Sequence, residues 1–135
     1  MASQYFSTAM RQYQNFGAAT AASEADPHKL IDMLLGGVVD RLASARGAIL
    51  RAERPAKLAA ISSAVAIIEH LRLRLDMNAG GEIARNLSAL YDYSVKRLLK
   101  ANADDDPVIV EEVSALMREL KAGWEAMNQA PVARH

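Results

Sequence analysis

Apolar residues return every three or four positions through most of the chain. After Asp26 and Pro27 they fall at Leu30, Ile31, Leu34, Val38, Leu42, Ala45 and Ile49, the spacing of one face of an α-helix. A polar N-cap followed by proline is a helix start, because proline lacks an N–H that the first turn would leave unpaired. A helix is therefore predicted over about 27–52. Leu58, Ile61, Val65, Ile68, Leu71 and Leu75 follow Pro55 and predict a second over about 55–77, ended by Asn78, Gly80 and Gly81, which supply the backbone freedom of a helix C-terminus. Glu82 places a negative charge in the first turn of a third, over about 81–102, with Ile83, Leu87, Leu90, Tyr91, Val95, Leu98 and Leu99 along it. The turn "ADDDP" leads into Pro107 and a last seam of Val110, Val113, Met117, Leu120, Trp124 and Met127, predicting a helix over about 107–128.

Short connections between four long helices make neighbours run antiparallel, and no period-two stretch competes for a sheet. The predicted fold is all-α, an antiparallel up-down-up-down four-helix bundle. Residues 1–25, rich in Ala, Ser, Thr and Gln with apolar Tyr5, Phe6, Met10, Tyr13 and Phe16, read as a mobile N-terminal arm that docks weakly. Residues 129–135 read as a flexible tail.

Hydrophobic residues make up 51% of the 135, enough for one core without staples. The chain has no cysteine, so disulfides and thiolate metal sites are excluded. Sixteen basic residues balance sixteen acidic ones, a poor match to the phosphates of nucleic acid. Lys96, Arg97 and Lys100 cluster near a predicted helix C-terminus, where cations complement the dipole; an anionic partner is the alternative reading. The start lacks the charged and apolar segments of a secretory signal, and no apolar run reaches bilayer length. A cytoplasmic protein without membrane insertion is expected.

Little here points to chemistry. A di-iron bundle needs Glu-x-x-His on two helices, which is absent, and His28, His70 and His135 are scattered. No serine has a base at a suggestive spacing, and the glycines of "AGGE" follow no strand. No catalytic residue, metal site or cofactor is predicted. Gly36 and Gly37 inside the first helix each cost about 1 kcal/mol relative to alanine. They mark either a close helix approach or a shallow place where another chain lies.

Tyr91 and Tyr93 cannot share a face. At about 100° per residue they stand about 200° apart, so with Leu87, Leu90, Tyr91, Ser94 and Leu98 inward, Tyr93 faces outward or into a second seam. Ile67 and Leu71 flank the second helix's seam, and Ile109 and Leu116 flank that of the fourth. A three-in-seven apolar face would absorb most of these residues as core. Together with the arm they suggest a groove for an amphipathic helix.

The chain resembles the FliS family of flagellar export chaperones. The resemblance is densest in "LDMNAGGEIARNLSALYDYSVKRLLKAN", residues 75–102, and extends through "DPHKLIDMLLGGVV", "AISSAVAIIEHLR" and "MRQYQNF". It departs from the family pattern at Leu35, at Ser94 and in a longer join between arm and first helix. The resemblance implies a non-enzymatic, ATP-independent chaperone of flagellar type III export. Such a protein binds the disordered C-terminal segment of flagellin in the cytosol, prevents premature polymerisation and keeps it export-competent. The candidate client surface comprises Ile67, Leu71, Leu87, Tyr91, Tyr93, Leu98, Leu116 and Leu120, some of them buttressing it from the core. Met10 and Tyr13 of the arm are candidates to compete for the groove. The flagellar export gate and other late export regulators are further candidate partners, and the protein alone is expected to be a monomer or weak dimer. The rival readings are a self-associating structural bundle and a regulatory adaptor for another helical ligand.

Overall fold

The computed structural model describes residues 26–133, with side chains to Met127. The arm expected over 1–25, with Met10 and Tyr13, and residues 134–135 lie outside the described residues. Four helices follow in order: α1 (Pro27–Leu50), α2 (Arg54–Leu73), α3 (Gly81–Asp104) and α4 (Pro107–Ala133). Helices α1 and α3 each pack against both α2 and α4, the ring of an antiparallel four-helix bundle. There is no strand among the described residues.

The helix ends show which punctuation acts. Asp26 caps α1 by accepting the Lys29 N–H at 3.1 Å, as the sequence predicts. Helix α1 stops at Leu50, two residues before the expected end near 52, because the chain turns left-handed at Ala52 (φ 55°) and the Glu53 N–H returns to the Ala48 carbonyl at 2.8 Å. Helix α2 stops at Leu73, not near 77. Asp76 causes the difference: its Oδ1 accepts the N–H groups of Asn78 (3.1 Å) and Ala79 (2.9 Å), a local turn that competes with the helix. Gly81 then enters α3 at φ 55°, a conformation that a Cβ would strain. Helix α3 runs on to Asp104, and α4 continues to Ala133 past the expected end near 128. No glycine or proline interrupts 124–130.

The core is centred on α1. Leu30, Leu34, Leu35, Val38, Leu42 and Ala45 are sealed on it, meeting Ile61, Ile67, Ile68 and Leu71 of α2 and Val110, Val113 and Met117 of α4. Helix α3 buries Tyr91, Ser94, Leu98 and Ala101 from its middle to its C-terminal end, but only Ala84 before them. The buried serine hydroxyls are satisfied. Ser94 donates to the Leu90 carbonyl at 2.8 Å, Ser63 accepts from Arg41 at 3.2 Å, and Ser114 accepts from Arg118 at 2.7 Å.

One buried cation pins the C-terminal end of α3. The Lys57 ammonium donates to the Asn102 carbonyl (2.9 Å) and to Asp105 Oδ1 (2.5 Å), supplying one of the partners that a helix end lacks. Asp105 is itself left-handed, with φ 51°. The hydrogen bond from Lys57, followed by its charge and that of Arg54, holds the Asp105 carboxyl below the usual carboxylate range. A lowered folded-state pKa means stabilisation that is present above the unfolded pKa and lost as pH falls through the folded one. Asp105→Asn keeps a residue tolerant of φ > 0 and removes the charge. It should lower the neutral-pH melting temperature by a few degrees and flatten the loss of stability on acidification. Thermal melts across the acid range check this; an unchanged profile would show that the pair contributes nothing.

Candidate functional site

The two halves of α3 have different surroundings. Its C-terminal half is locked by Leu98, Ala101 and Lys57, whereas towards its N-terminus Leu87 and Leu90 are only half-buried and Ile83 is 73% exposed. What is left beside that half is an apolar cleft of about 380 Å³. Leu35 of α1, Leu71 of α2 and Tyr91 of α3 are its buried residues. Ile31, Leu75, Leu87, Leu120 and Trp124 line it half-buried, while Ile83 and Met127 (61%) stand exposed. Arg74 and Glu119 contribute its charged groups. Burial pushes the Tyr91 phenol above its ordinary pKa.

Two features of α4 shape the cleft. A Cβ built on Gly123 would meet nothing within 4 Å, so this glycine leaves open space where alanine would intrude. Next to it, the Trp124 indole N–H donates to the His28 carbonyl at 2.8 Å, and its ring stacks on the His28 imidazole at 4.4 Å between centroids and 17° between planes. The first turn of α1 is thereby tied to the last part of α4.

Tyr93 lies outside the cleft and is 43% exposed. Its hydroxyl donates to Glu112 Oε2 at 2.7 Å, and Arg97 Nε donates to Glu112 Oε1 at 2.8 Å. The hydrogen bonds from Tyr93 and Arg97 hold the Glu112 carboxyl below its usual range, and the Tyr93 phenol is raised by the same contact. On α4, Glu112 begins the series Glu112, Leu116, Glu119 and Gly123, spaced to lie on one side of the helix. The cleft and the Tyr93 cluster are thus two parts of one α3/α4 strip.

Of the residues singled out from sequence, Leu71, Leu87, Tyr91 and Leu120 come together in the cleft. Ile67 and Leu98 are fully buried in the core and can only buttress it. Leu116 is half-buried. Sequence reasoning left out of its candidate surface Ile31, Leu35, Leu75, Ile83, Gly123, Trp124 and Met127, all of which line the cleft. A glycine inside a helix, here Gly123, was the available signal, the same one drawn from Gly36 and Gly37. Gly37 is buried, whereas a Cβ on Gly36 would sit 3.4 Å from the Lys121 side chain. Gly36 borders an open depression between α1 and α4 with Val39, Asp40 and Arg118.

Polar chemistry is sparse. Among the described residues no three His, Asp or Glu side chains are grouped to hold a metal. His70 is half-buried, with its imidazole pKa lowered by burial and by the Arg74 charge. No described helix is long and apolar enough to cross a membrane.

Comparison with known proteins gives a consistent result. The family described as flagellar protein FliS matches residues 9–131. The flagellar secretion chaperone FliSB of Pseudomonas aeruginosa is 44% identical over 124 residues, covering 92% of this chain and 98% of its own length. The flagellar secretion chaperone FliS of Salmonella typhimurium is 38% identical over 125 residues, covering 92% and 93%. That of Vibrio cholerae is 34% identical over 116 residues, covering 86% and 85%.

Exposure separates the side chains that hold the bundle from those available to a ligand. Leu98→Ala should cost about 2–5 kcal/mol in denaturant unfolding, and Ile83→Ala less than about 0.5 kcal/mol. Comparable losses would mean that Ile83 is part of the core. Gly123→Ala should raise stability by up to about 1 kcal/mol while narrowing the cleft; destabilisation would show that the space is not free.

Proposed function

We propose, on the premise that the chain belongs to the FliS family of flagellar proteins, that it is a flagellar export chaperone that binds the disordered C-terminal segment of flagellin and keeps it from polymerising before export. The family is one of chaperones and not of enzymes. The observation that carries the reading is the cleft of about 380 Å³, apolar and rimmed by exposed Ile83 and Met127. An amphipathic helix seats its apolar face in such a groove through anchors at i, i+3, i+4 and i+7. The Tyr93 strip along α3/α4 extends the surface beyond one helical turn, which suits a long, initially unfolded client.

The mechanism is mass action. A flagellin tail held on the bundle is withdrawn from subunit–subunit contacts, and no ATP is needed. Ordering a disordered segment costs about 2–5 kcal/mol of the gross interaction energy, so the complex can be specific and still release its client at the export machinery. Residues 1–25 are proposed as a separable arm, with Met10 and Tyr13 competing for the groove until the client displaces them. The export gate and late export regulators are the proposed further partners, and the cytosol the proposed compartment.

Trp124 lines the cleft and is the only tryptophan of the chain, so a tryptophan-free flagellin C-terminal peptide should change its emission as a one-to-one complex forms. Leu120→Glu should weaken that complex at least about tenfold, since a charge would be buried in an apolar contact. Tyr93→Lys, which offers Glu112 an ammonium donor in place of the phenol, should weaken it several-fold with little change in melting temperature; intact affinity would remove Tyr93 from the surface. Light scattering that shows only self-association, with no complex on adding flagellin, would favour the structural bundle instead.

A further inference from the structure

We infer that His28 is a positioning residue for the cleft, holding from behind the tryptophan that forms part of its wall. The inference rests on reading the cleft as the client's site. His28 does not line the cleft, whereas Trp124 does. The two are linked twice, through the backbone carbonyl of residue 28 and through the stacked rings.

The two links do different work. The hydrogen bond from the indole N–H ends on a main-chain oxygen, so it survives any side chain at position 28. It fixes one corner of the indole and leaves the ring free to tilt about that point. The imidazole plane, 17° from parallel at 4.4 Å, removes that tilt. Such pairs carry interaction energy beyond their buried area.

The imidazole contributes here by shape. Its Nε2 is buried and has no hydrogen-bond partner among the described residues, a cost that a hydrocarbon ring would not incur. A wall residue free to swing must be ordered when the client binds, and that ordering lowers affinity. His28 therefore raises client affinity without touching the client.

The test compares His28→Ala and His28→Phe in the full chain, with His28→Leu keeping side-chain bulk without a ring should the alanine variant fold poorly. Two readouts are taken: acrylamide quenching and anisotropy of Trp124 in the free protein, and the Kd for a flagellin C-terminal peptide. His28→Ala or His28→Leu should lower the anisotropy, increase quenching and raise Kd by about three- to tenfold, the range expected for losing one aromatic pair. His28→Phe should return all three towards the parent values. Unchanged anisotropy and Kd in the variants lacking a ring would overturn the inference, as would a phenylalanine variant as impaired as the alanine one. If the parent protein itself does not bind the peptide, the reading of the cleft fails, while the fluorescence of the free variants still decides whether His28 orders Trp124.

Discussion

The bundle depends on the sealed seam of α1. Leu34, Val38 and Ala45 have no accessible surface, and Leu30 and Leu42 have 1% each, so α1 is enclosed by α2 and α4 along most of its length. Burying a large aliphatic side chain contributes about 1.5–3 kcal/mol, and a run of them fixes where α2 and α4 can lie. Helix α3 must then fit the space that remains. Its C-terminal half does so through Leu98, Ala101 and the ammonium of Lys57. Over residues 81–90 it buries only Ala84.

That asymmetry links stability to function. A bundle closed along its whole length would offer a helical client only charged residues and small grooves. By packing α3 tightly at one end, the chain retains order while leaving Leu87, Ile83 and Tyr91 beside an unfilled apolar space at the other. The glycine at 123 and the anchored indole at 124 act on the same space, one by leaving room and the other by giving it a defined wall. Exposed apolar surface is an aggregation hazard unless something covers it. In the proposed function, that surface is what the client covers.

Much of this is legible in the residues. The seams of α1, α2 and α4 follow helical spacing, and the opposite orientations of Tyr91 and Tyr93 follow from about 100° per residue: one is 4% exposed, the other 43%. Helix ends are less so. Asp76 stops α2 by a side-chain turn that competes with the glycines downstream, and periodicity has no means of ranking the two. The candidate surface was legible in part, since Leu71, Leu87, Tyr91 and Leu120 do converge. Ile67 and Leu98 look the same in a pattern because an apolar stripe does not reveal which of its residues a neighbouring helix covers. Contacts between distant segments left no local trace: His28 meets Trp124 across 96 positions, and Lys57 meets Asp105 across 48.

The central claim is that the open end of the α3/α4 strip belongs to a foreign chain. Hydrogen–deuterium exchange, with and without the flagellin C-terminal segment, measures this most directly. The account predicts new protection concentrated in residues 82–93 and 116–127, with α1 amides already slow and unchanged. Protection confined to the α1/α4 face, or none at saturating ligand, would contradict it.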